Sequence, residues 1–263
     1  MKRIAFILLL FSLLISASPE AQDLEEYKRE QFTLAQDTMN YRILFPRDFS
    51  EDKKYPVVLF LHGAGERGND NQAQLTHGSE LFIKNQDEFP AIVIFPQAPK
   101  DDFWAKVEVN RDTVPSQFDF MNKKPSTKSL QLVIGLMNEI TSKSFVNKNR
   151  IYVGGLSMGG MGTLELIYKK PQMFAAAFSI CGGANPEITK DYPREFNIWL
   201  FHGKKDDVVP PKYSEAMALS INHYGSNAKL SLYPNDNHNS WDSAFAEPNL
   251  LPWLFSNSKQ SQQ

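Results

Sequence analysis

Only one cysteine, Cys181, occurs in the 263 residues, so no disulfide can form within the chain and stability has to come from packing. A surplus of either charge is also missing, because 28 Lys+Arg stand against 30 Asp+Glu for a formal net charge of −2. That near-balance supplies no broad cationic field to neutralise phosphates and argues against a nucleic-acid partner. No internal repeat, low-complexity tract or Gly/Ser linker divides the sequence, which leaves one domain or at most two small ones. No His, Asp or Glu cluster has ligand spacing around an open position, and no glycine-rich phosphate loop occurs, so neither a metal nor a cofactor is expected. A hydrophobic share of 42% excludes disorder.

Long apolar runs are scarce too, apart from one at residues 4–15. Lys2 and Arg3 precede it, and Ser16, Ala17, Ser18 and Pro19 follow it, which is the layout of a secretory signal. The run falls short of the ~20 residues that a spanning helix needs, so no stable membrane anchor is expected. No Cys follows it to carry a lipid. The reading is therefore a signal peptide at 1–21 and a single domain at 22–263, in a secreted or periplasmic protein.

What is present is an alternation. Apolar bursts of strand length at 56–61, 91–95, 151–153, 174–180 and 197–201 alternate with stretches of helical period. Near-continuous apolar strands are expected where helices cover both faces of a parallel sheet. Leu130, Val133, Ile134, Met137 and Ile140 recur at steps of one, three and four as one helical stripe, with Ser126 or Thr127 as its cap. Further helices are expected at 158–169, 211–223 and 240–255, and a leading strand at 41–45 on an antiparallel edge. The pattern implies one doubly wound α/β domain. The stretch 97–128 is polar, carries three prolines and is too long for a plain connection.

Gly155, Leu156, Ser157, Met158 and Gly159 form G-x-S-x-G between a strand and a helix. Such a turn needs glycines on both sides and lifts the Ser157 hydroxyl out at the carboxyl end of the sheet. A serine hydroxyl is a poor nucleophile until a base, itself oriented by an acid, takes its proton. The α/β arrangement orders these as Ser, acid, His. Of the five histidines only His223 and His238 lie beyond the last plausible acid loop, and His223 sits in an expected helix. His238, in the polar loop 234–241 after the strand KLSLY, is the candidate base. The acid belongs to the loop after NIWLF, where Asp206 and Asp207 compete.

Acyl transfer also needs backbone donors for a developing oxyanion. The glycine-rich segment 62–68 lets backbone approach a ligand, so the amides of Ala64 and Met158 are the expected oxyanion hole, with Gly65 as runner-up to Ala64. His62 is read as a loop brace, Glu66 and Arg67 as a local ion pair, and Cys181 as a small buried hydrophobe. Trp104, with Phe103 beside it, and Trp241 are candidate substrate contacts.

H-G-x-x-D-x-x-V-P at 202–210 resembles the acid loop of the α/β-hydrolase superfamily, a resemblance that puts the acid at Asp206 and leaves Asp207 solvated or bracing the loop. HGAGERGNDN at 62–71, FPQAP at 95–99, GLSMGG at 155–160 and HNSW at 238–241 extend the likeness. In that order they resemble small secreted bacterial esterases grouped with polyhydroxybutyrate depolymerase-like, feruloyl-esterase-like and dienelactone-hydrolase-like enzymes, also described as predicted peptidases or phospholipase/carboxylesterase relatives. The resemblance covers nearly all of 22–263 and implies the α/β-hydrolase fold, with a mostly parallel sheet and helices on both faces. Dienelactone hydrolases proper carry a nucleophilic Cys where this chain has Ser157, so their substrate is not carried over. Only 16 mostly polar residues, 181–196, separate the sixth expected strand from the acid loop, so no large lid is expected. The expected activity is hydrolysis of small or carbohydrate-linked carboxylic esters by a serine triad. An exported serine peptidase and a non-catalytic binding protein on the same fold are the alternatives.

Overall fold

A computed structural model describes residues 24–259 except Arg111 and Val114. The expected signal segment 1–21 lies outside the described residues. Eight strands build the main sheet: β1 (Lys28–Leu34), β2 (Asp37–Leu44), β3 (Tyr55–Leu61), β4 (Ile92–Pro96), β7 (Val146–Leu156), β8 (Ala176–Ile180), β9 (Asn197–Gly203) and β10 (Asn227–Tyr233). Their order across the sheet is β1-β2-β4-β3-β7-β8-β9-β10. β1, β2 and β4 pair antiparallel, and every pairing from β4 to β10 is parallel. This is the α/β-hydrolase sheet.

The apolar strands split their side chains between two layers. Val57, Leu59 and Leu61 of β3 join one core cluster and Val58 and Phe60 the other, as the two-residue period of a strand requires. The first layer is closed by α2 (Lys128–Ser142), which turns Leu130, Val133, Met137 and Ile140 onto the sheet. Thr127 caps that helix by accepting from the Leu130 amide at 3.2 Å. The second layer is closed by α1 (Ser79–Lys84), α5 (Trp241–Phe245) and α6 (Leu250–Ser256), through Phe82, Ala244 and Leu254. At ~1.5–3 kcal/mol for each fully buried aliphatic or aromatic side chain, these two layers are the main stabilising contribution in a chain without disulfides.

Three elements differ from the sequence expectation. The helix expected over 240–255 is two short ones, because Pro248 has no amide to donate and pushes Glu247 out of helical geometry. β1 lies outside the expected leading strand, and of its 7 residues only Phe32 is buried, the others being exposed. The long polar stretch contains a two-stranded ribbon, β5 (Val107–Asn110) and β6 (Gln117–Phe120), with Val107 opposite Phe120 and Asn110 opposite Gln117. Glu165, on α3 (Met158–Lys169), clamps the base of the ribbon: its Oε2 accepts from the Lys106 amide at 2.9 Å and from Asn122 Nδ2 at 2.8 Å. Burial pushes the Glu165 carboxyl up despite these bonds. Between β8 and β9 only a 3-10 turn, Pro186–Asp191, interrupts irregular chain, so no helical lid is inserted there. The remaining helix, α4 (Lys212–His223), follows the acid loop.

Candidate active site

At the carboxyl end of β7 the chain turns through Ser157 at φ 52° and ψ −117°, a strained conformation for a residue with a side chain. The flanking glycines are required by space. A Cβ on Gly159 would lie 1.8 Å from the Leu61 carbonyl oxygen, and one on Gly155 2.5 Å from the Gly159 backbone. The turn leaves Ser157 as the N-cap of α3 and places the Met158 amide in the first turn, where helical N–H groups have no acceptor within the helix.

Ser157 Oγ lies 2.9 Å from His238 Nε2, and His238 Nδ1 lies 2.8 Å from Asp206 Oδ2. A carboxylate only accepts, so Nδ1 donates and Nε2 is left to accept the Ser157 proton. The Asp206 carboxylate is saturated. Its Oδ1 accepts from the Val208 and Val209 amides at 2.9 Å each, and its Oδ2 accepts from His238 and, at 3.1 Å, from the buried His202 Nε2. Burial on its own raises this carboxyl, but the bonds from His202 and His238, the charge of His238 and the Val209 amide outweigh it and hold the group well below the usual carboxylate range. Asp207, the competing acid, is exposed.

The His202 ring faces two acceptors with its Nε2, Asp206 and the Val209 carbonyl at 2.8 Å, so Nε2 carries a proton, and Nδ1 lies 2.7 Å from Ser214 Oγ. This second histidine on the acid was missed in the sequence, where a His-Gly at the end of an apolar strand four residues before an Asp was its one signal. Cys181, Asp206 and His238 bring one ligand atom each within 4.8 Å of one another. Asp206 and His238 are already committed to each other, and burial pushes the Cys181 thiol up, so the thiol stays protonated beneath the site.

A cavity of about 330 Å³ opens beside the serine, lined by Ser157, His238, Ala64, Gly65 and Met158 together with apolar side chains from the ribbon and the acid loop. The arrangement can take a proton from a hydroxyl and hold it on an oriented imidazole.

Residues 49–247 match the phospholipase/carboxylesterase family. The chain belongs to that family. This hydrolase is 26% identical over 194 residues to lysophospholipase-like protein 1 of Mus musculus, covering 69% of the chain and 79% of the relative. It is also 26% identical over 186 residues to a bifunctional acetylxylan esterase/xylanase of Neocallimastix patriciarum, covering 71% of the chain but 23% of that longer protein. Among solved structures a thermostable esterase superposes with a TM-score of 0.79 at 32% identity, over 90% of this chain and 64% of the other.

Trp104, Glu66 and Arg67 of the hydrolase sit elsewhere than expected. Trp104, read as a substrate contact, is 0% exposed. Its indole N–H donates to the His62 carbonyl at 3.0 Å, and its Cβ would lie 2.4 Å from a Cβ added to Gly162 of α3, so it braces the glycine loop from behind. Phe103 lines the cavity in its place, and Trp241 lines it as well, edge-on to the His238 ring at 5.6 Å. The expected Glu66–Arg67 ion pair is absent among the described residues. Arg67 turns to the Ala64 and Lys100 carbonyls at 3.0 and 2.9 Å and lies over Phe103, while Glu66 faces the cavity. His62 braces its loop as expected, with Nδ1 donating to the Gly63 carbonyl at 2.6 Å and Nε2 accepting the Ala98 amide at 3.1 Å.

Proposed function

We propose that this hydrolase cleaves carboxylic esters, with small or carbohydrate-linked acyl groups as substrates, by a serine triad and an acyl-enzyme. The unbroken hydrogen-bonded chain from Ser157 through His238 to Asp206, opening on a mainly apolar cavity, carries the reading. Ser157 Oγ attacks the ester carbonyl carbon as His238 Nε2 takes its proton. Ala64 and Met158 line the cavity beside the serine, and their amides are the donors for the negative charge that develops on the carbonyl oxygen in this reading. Collapse breaks the bond to the alcohol oxygen, and His238 returns its proton to that leaving group. Water, deprotonated in turn by His238, then releases the acid and regenerates Ser157.

The relatives named for acetylxylan esterase and, among structures, for ferulic acid esterase (TM-score 0.62, 14% identity) support carbohydrate-linked esters as the substrate class. The signal-like segment at 1–21 supports work outside the cytoplasm. Ser157→Ala should lower turnover of p-nitrophenyl acetate by about 10⁴-fold or more and abolish labelling by a fluorophosphonate probe. Wild-type turnover by that variant would remove Ser157 from the mechanism, and faster wild-type cleavage of aminoacyl amides than of esters would replace the esterase reading by a peptidase one.

A further inference from the structure

Among the described residues, the cavity wall presents one titratable side chain apart from Ser157 and His238, that of Glu66. The side chain is 12% exposed, yet its Oε2 is buried without a hydrogen-bond partner. Its Oε1 lies 3.9 Å from His77 Nε2, too far for a hydrogen bond. Nothing in the immediate sequence releases it from this position. The Glu66 carbonyl accepts from Gln97 Nε2 at 3.2 Å, and the neighbouring Arg67 is committed elsewhere. Oε2 is closed off from solvent against Gly63, so a ligand in the cavity meets the carboxylate at Oε1, which accepts no hydrogen bond among the described residues and is the oxygen free to take a donor.

The contacts of the lining divide it in two. Phe118, Met161 and Val209 belong to one apolar cluster fed by the ribbon and the acid loop, which suits an acyl chain. Glu66 adjoins His77, His77 packs against Trp241 at 5.1 Å with the rings tilted by 44°, and Trp241 lies against His238, the residue that protonates the leaving alcohol. A single acceptor beside a flat aromatic face complements a polyhydroxylated ring: the ring's C–H face rests on the indole, and one hydroxyl donates to the carboxylate. Accordingly, we propose that Glu66 is a specificity-determining residue that accepts a hydrogen bond from a free hydroxyl on the alcohol portion of the ester, a sugar hydroxyl near the acylated one. This inference rests on the esterase reading above and adds the alcohol it selects.

The test compares kcat/KM of wild type, Glu66→Gln and Glu66→Ala on mono-acetylated xylobiose, p-nitrophenyl acetate and acetylcholine. The ratio of xylobiose ester to p-nitrophenyl acetate should fall about tenfold to a hundredfold in both variants, mainly through KM, as expected for a hydrogen bond to a charged group. The melting temperature of Glu66→Gln should hold or rise, because an unpaired buried charge is removed. An unmoved ratio, or equal losses on both acetates, overturns the proposal, and a loss confined to acetylcholine replaces the hydroxyl by a cation. A wild-type enzyme that cleaves no ester in the panel sinks the parent reading itself, whereas activity on p-nitrophenyl acetate with an unmoved ratio sinks Glu66 alone.

Discussion

Two loops that border the serine begin alike and end up opposite. β9 finishes in His202-Gly203 and β3 is followed directly by His62-Gly63, and in both the imidazole is buried and hydrogen-bonded through each ring nitrogen. After β9 the loop gathers four donors on the Asp206 carboxylate. After β3 the loop leaves a carboxylate oxygen of Glu66 with none. One loop is closed around a charge that must not move, and the other is open toward the cavity. The dipeptide therefore fixes only the exit from the strand. What each loop does is set by the side chain that follows a few residues later and by whether protein or ligand satisfies it.

The sharpest break of the closed loop is Asp206→Asn. The amide can no longer demand a donor from His238 Nδ1, so the imidazole loses its fixed tautomer, and kcat for p-nitrophenyl acetate should fall about 10³–10⁴-fold, or ~4–5.5 kcal/mol in the barrier. A fall of tenfold or less would mean that His202 and the two amides, rather than Asp206, orient the base. Next comes the pair Gly203→Ala and Gly63→Ala. A Cβ on Gly203 would lie 2.2 Å from the Asn237 carbonyl oxygen and 2.4 Å from that of Asp236, backbone that carries His238. A Cβ on Gly63 would instead meet the ends of two side chains, Leu156 Cδ1 at 2.8 Å and Glu66 Oε2 at 2.9 Å. Denaturant unfolding should show a loss of about 3 kcal/mol or more for the first and roughly 1–2 kcal/mol for the second. Equal losses would show that the two His-Gly turns are equally constrained.

The sequence was most readable where backbone and spacing dictate the outcome. The apolar runs of β3, β4 and β9 identify central strands because both sheet faces are covered, and the elbow is readable because only glycine fits beside Leu61. Ser157, Asp206 and His238 are recoverable from strand ends and chain order, although Asp206 and Asp207 are separable only through a family likeness. Side-chain direction in loops was not readable. Glu66 and Arg67 are adjacent with opposite charge, but the loop sends one into the cavity and the other onto carbonyls. Trp104 lies in a polar stretch, yet that stretch folds back over α3 and buries it. The ribbon was hidden for a different reason: V-E-V-N and Q-F-D-F alternate as strands should, but four residues are too few to stand out against three prolines.

The effect seen only on acidification concerns the brace of the open loop. Burial, reinforced by the Arg67 charge, lowers the His62 pKa to about 4, while the bond to Gly63 and the charge of Asp70 oppose this only in part. The unfolded chain, with an ordinary histidine near 6.5, therefore binds more protons than the folded one between those values. Stability rises with pH across that window; it is complete above pH ~6.5 and is lost as the pH falls towards 4, by up to ~3 kcal/mol from this one ring. Replacing it by His62→Gln removes the titration while leaving the other histidines to respond as before. Thermal unfolding followed from pH 7 to pH 4 should fall more steeply for wild type than for the variant, and parallel curves would mean that the imidazole is protonated in place. In that event the glycine loop would hold a cation behind the cavity, and its distinction from the acid loop, where a histidine serves a carboxylate, would disappear.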